Sequence, residues 1–240
     1  MVHGAWHGAW CWQPVLERLW GAGIEAMAVD LPGHGDDPGP FGDLHADADR
    51  VRRTLDRSRR PVVLVGHSYG GAVITEAGAH PSVAHLLYVA ALLLDAGETC
   101  ATAAAGEAAA TGISYDGRPD LGAGFITGPG GIVTLERSVA ARCFYNDCDD
   151  KTVEWALDRL GGHPLGTLEQ TPGAVAWRAT RSTYVICAGD LAVHPDLQRL
   201  LAARCDRQIE WDCGHSPFLS RPDAVAKLIG QLAAGAASES

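Results

Sequence analysis

The stretch 61-PVVLVGHSYGGAVITEAGA-79 decides the fold. Its opening 61-PVVLV-65 is an apolar, β-branched run, and 72-AVITEAGA-79 is a helix-forming segment, so a strand, a tight turn and a helix follow one another without a spacer. The turn itself, 66-GHSYG-70, fits G-x-S-x-G. A serine at the apex of such a strained turn is presented at the carboxyl end of its strand. Small residues on either side let the neighbouring backbones approach, and the helix N-terminus behind the serine favours developing negative charge. An ordinary glycine turn would need neither this context nor the following Gly71. Ser68 is therefore the candidate nucleophile.

Outward from this centre, 24-IEAMAVDL-31, 85-HLLYVAALLL-94, 183-TYVICAGD-190 and 207-RQIEWDCG-214 read as further buried strands with helical stretches between them. Their hydrophobicity is continuous rather than alternating, as a parallel sheet covered on both faces demands. The class is α/β, with a doubly wound, mostly parallel sheet. The rhythm breaks between 85-HLLYVAALLL-94 and 183-TYVICAGD-190. There 101-ATAAAGEAAAT-111, 134-TLERSVAARCFY-145 and 151-KTVEWALDRL-160 read as helices, and 116-DGRPDLGAGFITGPGG-131 as a glycine-rich loop. We expect a core of residues 1–94 and 178–240 with a helical cap inserted at 95–177.

A serine nucleophile needs a base and an acid, which in this kind of turn follow it in the order acid, histidine. His215, in 211-WDCGHSPF-218, comes directly after the last strand, where a turn can swing its imidazole over the sheet edge; His163 and His194 sit in Pro-flanked loops without a strand to fix them, and His80 and His85 read as helix-end or surface residues. Asp190 ends its strand at the same edge and is the candidate acid, with Asp95, also after a strand, as the alternative. The oxyanion donors fall by position on the backbone amides of Ala5, in 3-HGAW-6, and Tyr69. Trp6, Trp12, Phe125 and Trp155 are candidate pocket walls; aromatics at such places also serve as plain core.

With 240 residues, 47% of them hydrophobic, the chain can bury one substantial core. A net charge of -10 argues against nucleic acid or an anionic membrane as partner. The one basic run, 49-DRVRRTLDRSRR-60, has helical spacing and reads as a solvated helix face. Seven cysteines without a C-x-x-C pair indicate neither a disulfide framework nor a zinc site, and fit reduced thiols in a cytosol. No basic n-region or long apolar run suggests secretion or membrane spanning. Arginine far outnumbers lysine, which with the abundant Ala and Gly suggests a GC-rich bacterial genome. The expectation is a soluble cytoplasmic protein; its oligomeric state is left open, a homodimer being the one assembly considered.

Taken together, 2-VHGAWHGAWCW-12, 30-DLPGHG-35, 66-GHSYGG-71, 184-YVICAGD-190 and 214-GHSPFLSRPDAVA-226 resemble the compact α/β-hydrolases that include plant methylesterases, plant hydroxynitrile lyases and bacterial carboxylesterases. The likeness runs nearly end to end and is faintest in the insert, where 143-CFYNDC-148 resembles bacterial members. It implies an α/β-hydrolase fold, a cofactor-free enzyme, a triad of Ser68, Asp190 and His215, and oxyanion amides at Ala5 and Tyr69. Family members carry several apolar residues before the H-G motif, where this chain has only Met1 and Val2; either the first strand is a stub or the true start lies upstream. The resembling lyases carry a threonine where this chain has Gly4 and a lysine where it has Ser216. The expected function is hydrolysis of a small-molecule carboxylic ester through an acyl-enzyme. A lyase or cyclase using Ser68 and His215 for proton transfer is the alternative, and a ligand-binding receptor the non-enzymatic one.

Overall fold

The computed structural model describes residues 1–103, 113–114 and 117–238. Helices α1 (Gln13–Gly21) and α2 (Leu44–Leu55) precede strand β1 (Val62–His67), which runs through the nucleophile turn into α3 (Gly70–Ala77) and on to β2 (Val83–Val89). Then come β3 (Phe125–Thr127), β4 (Ile132–Leu135), α4 (Arg137–Phe144), α5 (Asp150–Leu157) and β5 (His163–Pro164). The chain closes with β6 (Ser182–Cys187), α6 (Pro195–Ala202), β7 (Arg207–Trp211), α7 (Pro217–Ser220) and α8 (Pro222–Ser238).

The main sheet has the order β1-β2-β6-β7, and every pairing in it is parallel. Burial follows place in the sheet. The central β6 is buried along its whole length, whereas β7, with a neighbour on one side only, leaves Arg207, Gln208 and Glu210 exposed. On the other flank of β1 lies Val2, bridged in parallel both to Gly66 and to Val29. Its N–H donates to Val65 O at 2.8 Å and its carbonyl accepts from His67 N–H at 3.1 Å, while Val29 N–H donates to Met1 O at 3.1 Å. The expected strand at 24–31 is reduced to one bridge, from Val29 to Val2. The expected strand at 85–94 stops at Val89, since Ala90 takes φ +46 and turns the chain out of the sheet.

In helix α2 two arginines of the basic run are paired within the chain. Asp43 caps it by accepting from Ala46 N–H at 2.8 Å, and Leu44, Ala48, Val51 and Leu55 form the buried stripe. On its other faces Arg50 meets Asp37 at 2.6 Å, and Arg52 meets Asp49 at 2.6 Å and Glu76 at 3.2 Å.

The stretch between β2 and β6 is not wholly helical. It holds an antiparallel sheet of order β3-β4-β5, with β3 and β4 joined across 128-GPGG-131 and Gly128 N–H donating to Ile132 O at 2.7 Å. Residues 134 and 135, expected in a helix, lie in β4; α4 starts only after Glu136, whose carboxylate caps it through Ser138 N–H. The expected helix at 101–111 lies mostly outside the described residues.

Candidate active site

Ser68 stands between β1 and α3 with φ +51, a left-handed conformation costly for a residue bearing a Cβ. Its backbone is held on both sides: its N–H donates to Val89 O at 3.2 Å, and its carbonyl accepts from Gly71 N–H at 2.9 Å and Leu92 N–H at 3.0 Å. The turn also demands close approach, for a Cβ at Gly70 would sit 2.6 Å from His3 O. The motif glycine is thus fixed by the loop after Val2.

Asp190 lies past the end of β6 and His215 past the end of β7, so adjacent parallel strands deliver both to one edge. Asp190 Oδ2 is 2.7 Å from His215 Nδ1, with both side chains essentially fully buried. Asp190 Oδ1 accepts from the amides of Ala192 at 2.7 Å and Val193 at 2.9 Å. Oδ2 also accepts from Gln198 Nε2 at 2.7 Å, and Gln198 Oε1 in turn accepts from Cys187 N–H at 2.9 Å. The carboxylate therefore faces four donors, which assigns the Nδ1 proton to His215 and leaves its Nε2 for exchange. The alternative acid, Asp95, is partly exposed and paired with Arg178 at 2.5 Å.

No acceptor among the described residues pairs with the Ala5 or Tyr69 amide. The first of these is oriented from behind. Leu31 N–H donates to His3 Nε2 at 3.2 Å, so Nδ1 bears the proton and donates to Gly4 O at 2.8 Å. That carbonyl and the Ala5 N–H belong to one peptide plane. The side chain of Tyr69 is pinned as well, its hydroxyl donating to buried Asp47 at 2.7 Å. His7 bonds Ala5 O through Nδ1 at 2.8 Å and accepts from Tyr145 OH at Nε2, 2.9 Å away. His67 Nε2 donates to His215 O at 2.9 Å. Of the rival histidines, His163 is locked between His34 at 3.0 Å and Thr167 at 2.9 Å, and His194 lines the cavity described next.

Ser68, His215, Ala5 and Tyr69 open on one cavity of about 480 Å³. Of the four candidate wall residues Trp6 and Phe125 line it, joined by His7, Phe144, Leu92 and Leu197, which the sequence reading does not single out. The described lining includes no Lys, Arg, Asp or Glu. Trp12 and Trp155 are elsewhere. Trp12 is fully buried against Phe218, with ring centroids 4.9 Å apart, and Trp155 packs edge-on to Trp10 beneath the Arg159 guanidinium. Trp12 is core because the short 3-10 helix Ala9–Trp12 turns it inward together with Cys11. Trp12→Ala is accordingly expected to lower unfolding free energy by about 3–5 kcal/mol in urea titration. Trp12→Phe should cost much less, since the buried indole N–H has no partner among the described residues. Equal losses for the two variants would contradict this placement.

The buried imidazoles set the acid limit of the fold. Burial pushes His7 down to about 4, and His3, His67 and His163 well below the ordinary histidine value. In the window between those values and about 6.5 the unfolded chain binds more protons, so stability is fully present above that window and is lost as pH falls through it. Asp47 acts oppositely: burial raises it to about 7, so acid favours its folded, protonated form. One aspartate opposes four histidines, and His7 alone corresponds to about 3 kcal/mol. Thermal midpoints are expected to drop steeply between pH 7 and pH 5; a flat or rising midpoint would show the buried histidines to be charged or relaxed.

Among the described residues no cluster of three or more His, Cys, Asp or Glu side chains is arranged to hold a metal ion, and no helix is long and apolar enough to cross a membrane. The model of an alpha/beta hydrolase family matches residues 1–228. The alpha/beta hydrolase nvfD of Aspergillus novofumigatus (strain IBT 16806) is 32% identical, covering 100% of this chain and 97% of its own. Methylesterase 7 of Arabidopsis thaliana is 26% identical over 97% of this chain and 95% of its own. The crystal structure of polyneuridine aldehyde esterase superposes with a TM-score of 0.83 at 20% identity, covering 96% of this chain and 97% of that one. With its parallel sheet, its serine turn and a family match along nearly its whole length, the chain belongs to the alpha/beta hydrolase family.

Proposed function

We propose that this protein hydrolyses a small, uncharged carboxylic ester through an acyl-enzyme on Ser68. The observation that carries the reading is the buried Asp190–His215 pair, at 2.7 Å, whose imidazole opens on the same cavity as Ser68 and two amides with no acceptor among the described residues. Ester-cleaving relatives support the same chemistry, the methylesterases among them. Ser68 Oγ attacks the ester carbonyl as His215 Nε2 takes its proton, and the Ala5 and Tyr69 amides hold the oxyanion. Collapse breaks the acyl–oxygen bond, and His215 returns the proton to the departing alcohol. Water then attacks the acyl-serine through the same base, releasing the acid.

The cavity favours an ester flanked by apolar groups, because a second charge would lie among Trp6, Phe125, Phe144 and Leu197 with no ionic partner. Residues 95–177 form the proposed cap, which supplies Leu121, Phe125, Phe144 and Leu168 to that wall. Proton-transfer lyase chemistry is disfavoured. Gly4 has no hydroxyl to offer, and a cyanide-like leaving group needs a cation that the described lining does not contain. The test offers a p-nitrophenyl short-chain ester and mandelonitrile side by side, with a fluorophosphonate as active-site label. Ester turnover, stoichiometric labelling at Ser68 and no cyanide release above the buffer rate are expected. Enzyme-dependent cyanide release lost in Ser68→Ala would replace this reading with a lyase.

A further inference from the structure

The turn 145-YND-147 joins α4 to α5, and its three consecutive side chains reach three different loops. Tyr145 OH donates to His7 Nε2 at 2.9 Å. Asn146 Nδ2 donates to Gly189 O at 3.0 Å. Asp147 Oδ2 accepts from Gly214 N–H at 2.8 Å. Each partner adjoins a group of the reaction: His7 bonds the carbonyl of Ala5, Gly189 precedes Asp190, and Gly214 precedes His215.

The acid and base loops also meet directly, Gly189 N–H donating to Cys213 O at 2.9 Å. The Cys213–Gly214 peptide is therefore held at both ends, its oxygen by Gly189 and its N–H by Asp147. Gly189 is likewise engaged at its own N–H and carbonyl. The contact is close, since a Cβ at Gly214 would meet Asn146 Oδ1 and lie 2.5 Å from Asp147 Oδ1, so that a side chain there would displace both. Facing a carbonyl, Asn146 must present its amide nitrogen, and facing an N–H, residue 147 must present oxygen. Donor and acceptor are thus specified at adjacent positions.

We propose that 145-YND-147 is a positioning clamp that fixes the spacing of the Asp190, His215 and Ala5 loops from the cap side. This rests on the ester-hydrolase reading for its kinetic consequence, though not for its geometry. Asn146 and Asp147 are exposed, so their bonds contribute little to global stability, and their effect falls on the alignment of the reacting groups. Misplacement of such groups by about 1 Å costs on the order of a hundredfold in rate.

Near-isosteric exchanges separate a clamp from mere space-filling. Asn146→Asp turns an acceptor on the Gly189 carbonyl and is expected to lower kcat about ten- to a hundredfold with KM within about twofold. Asp147→Asn can still offer an oxygen to Gly214 and should stay within about threefold of wild type, whereas Asp147→Leu should fall as Asn146→Asp does. The fluorophosphonate labelling rate at Ser68 should drop in the same order, and the Gly214 amide should exchange faster in Asp147→Leu. A space-filling turn predicts instead that both isosteric exchanges are equally harmless. Wild-type kcat and labelling rate in Asn146→Asp and Asp147→Leu, with unchanged Gly214 exchange, would overturn the clamp. A wild-type protein that takes no label at Ser68 would overturn the ester-hydrolase reading instead, and faster Gly214 exchange in Asp147→Leu would still uphold the clamp.

Discussion

Ser68→Ala is expected to lower kcat by on the order of a millionfold, the loss that follows removal of the nucleophile from a serine triad. The fold should survive. Among the described residues the hydroxyl has no hydrogen-bond partner that anchors the turn, whose backbone is tied through Val89, Gly71 and Leu92. Alanine keeps the Cβ and therefore keeps the strain of φ +51. Ser68→Gly makes a useful partner. It is equally unable to attack an ester, yet it relieves a left-handed conformation that costs an L-residue roughly 1–2 kcal/mol, offset in part by the greater freedom of glycine in the unfolded chain. It should be no less stable than Ser68→Ala. Residual turnover above the uncatalysed rate is expected in both, because the Ala5 and Tyr69 amides proposed to bind the oxyanion remain in place. Full activity in Ser68→Ala, measured on protein free of wild-type carry-over, would remove Ser68 from the reaction.

The main sheet was legible where a run of residues could not serve any other element. The run 61-PVVLV-65 is too short for a helix and too continuous for a half-exposed strand, and β1 lies there between two neighbours. Residues 24–31 have the same composition yet form no strand: a strand needs a partner ladder, and the pairing beside them is the single bridge from Val29 to Val2. Composition reports the capacity to pair; it does not report what is available to pair with. The hairpin across 128-GPGG-131 was open to a closer reading, since Phe125, Ile126 and Thr127 before it and Ile132, Val133 and Thr134 after it are strand formers about a turn. Its glycine content pointed to a loop instead.

At the site, the meeting of Asp190 with His215 follows from each closing a parallel strand next to the other. What the sequence did not display are contacts whose partners lie far apart along the chain and share no period. Tyr145 and His7 are separated by 138 positions, and Gln198 sits on an amphipathic helix where a buried glutamine leaves no local trace. Trp12 and Trp155 show the converse. Aromatic character marks a residue for burial, but whether it is buried in the core, as Trp12 is, or stacked at the rim, as Trp155 is, depends on which way the backbone turns it.

Asp190→Asn is expected to lower kcat by about ten-thousandfold, the loss seen when an orienting carboxylate becomes an amide in a serine triad. The reason lies in the four donors converging on Asp190: the Ala192 and Val193 amides on Oδ1, Gln198 Nε2 and His215 Nδ1 on Oδ2. An asparagine must turn its NH2 toward one pair or the other. Toward Ala192 and Val193 it would set a donor against two backbone N–H groups, which have no alternative protonation. Toward His215 it meets an imidazole that can move its proton from Nδ1 to Nε2, so this orientation is the less costly one. The result is a histidine that offers Nε2–H where a bare nitrogen is needed, unable to take the serine proton. KM should change little, because Asp190 does not line the cavity. Some stability should also be lost, on the order of 1–3 kcal/mol for the mispaired Gln198 donor. Asp95→Asn serves as the control, since that carboxylate is committed to Arg178 away from His215 and its loss should leave kcat unchanged. A kcat for Asp190→Asn within about tenfold of wild type, together with a large loss in Asp95→Asn, would assign the acid to Asp95.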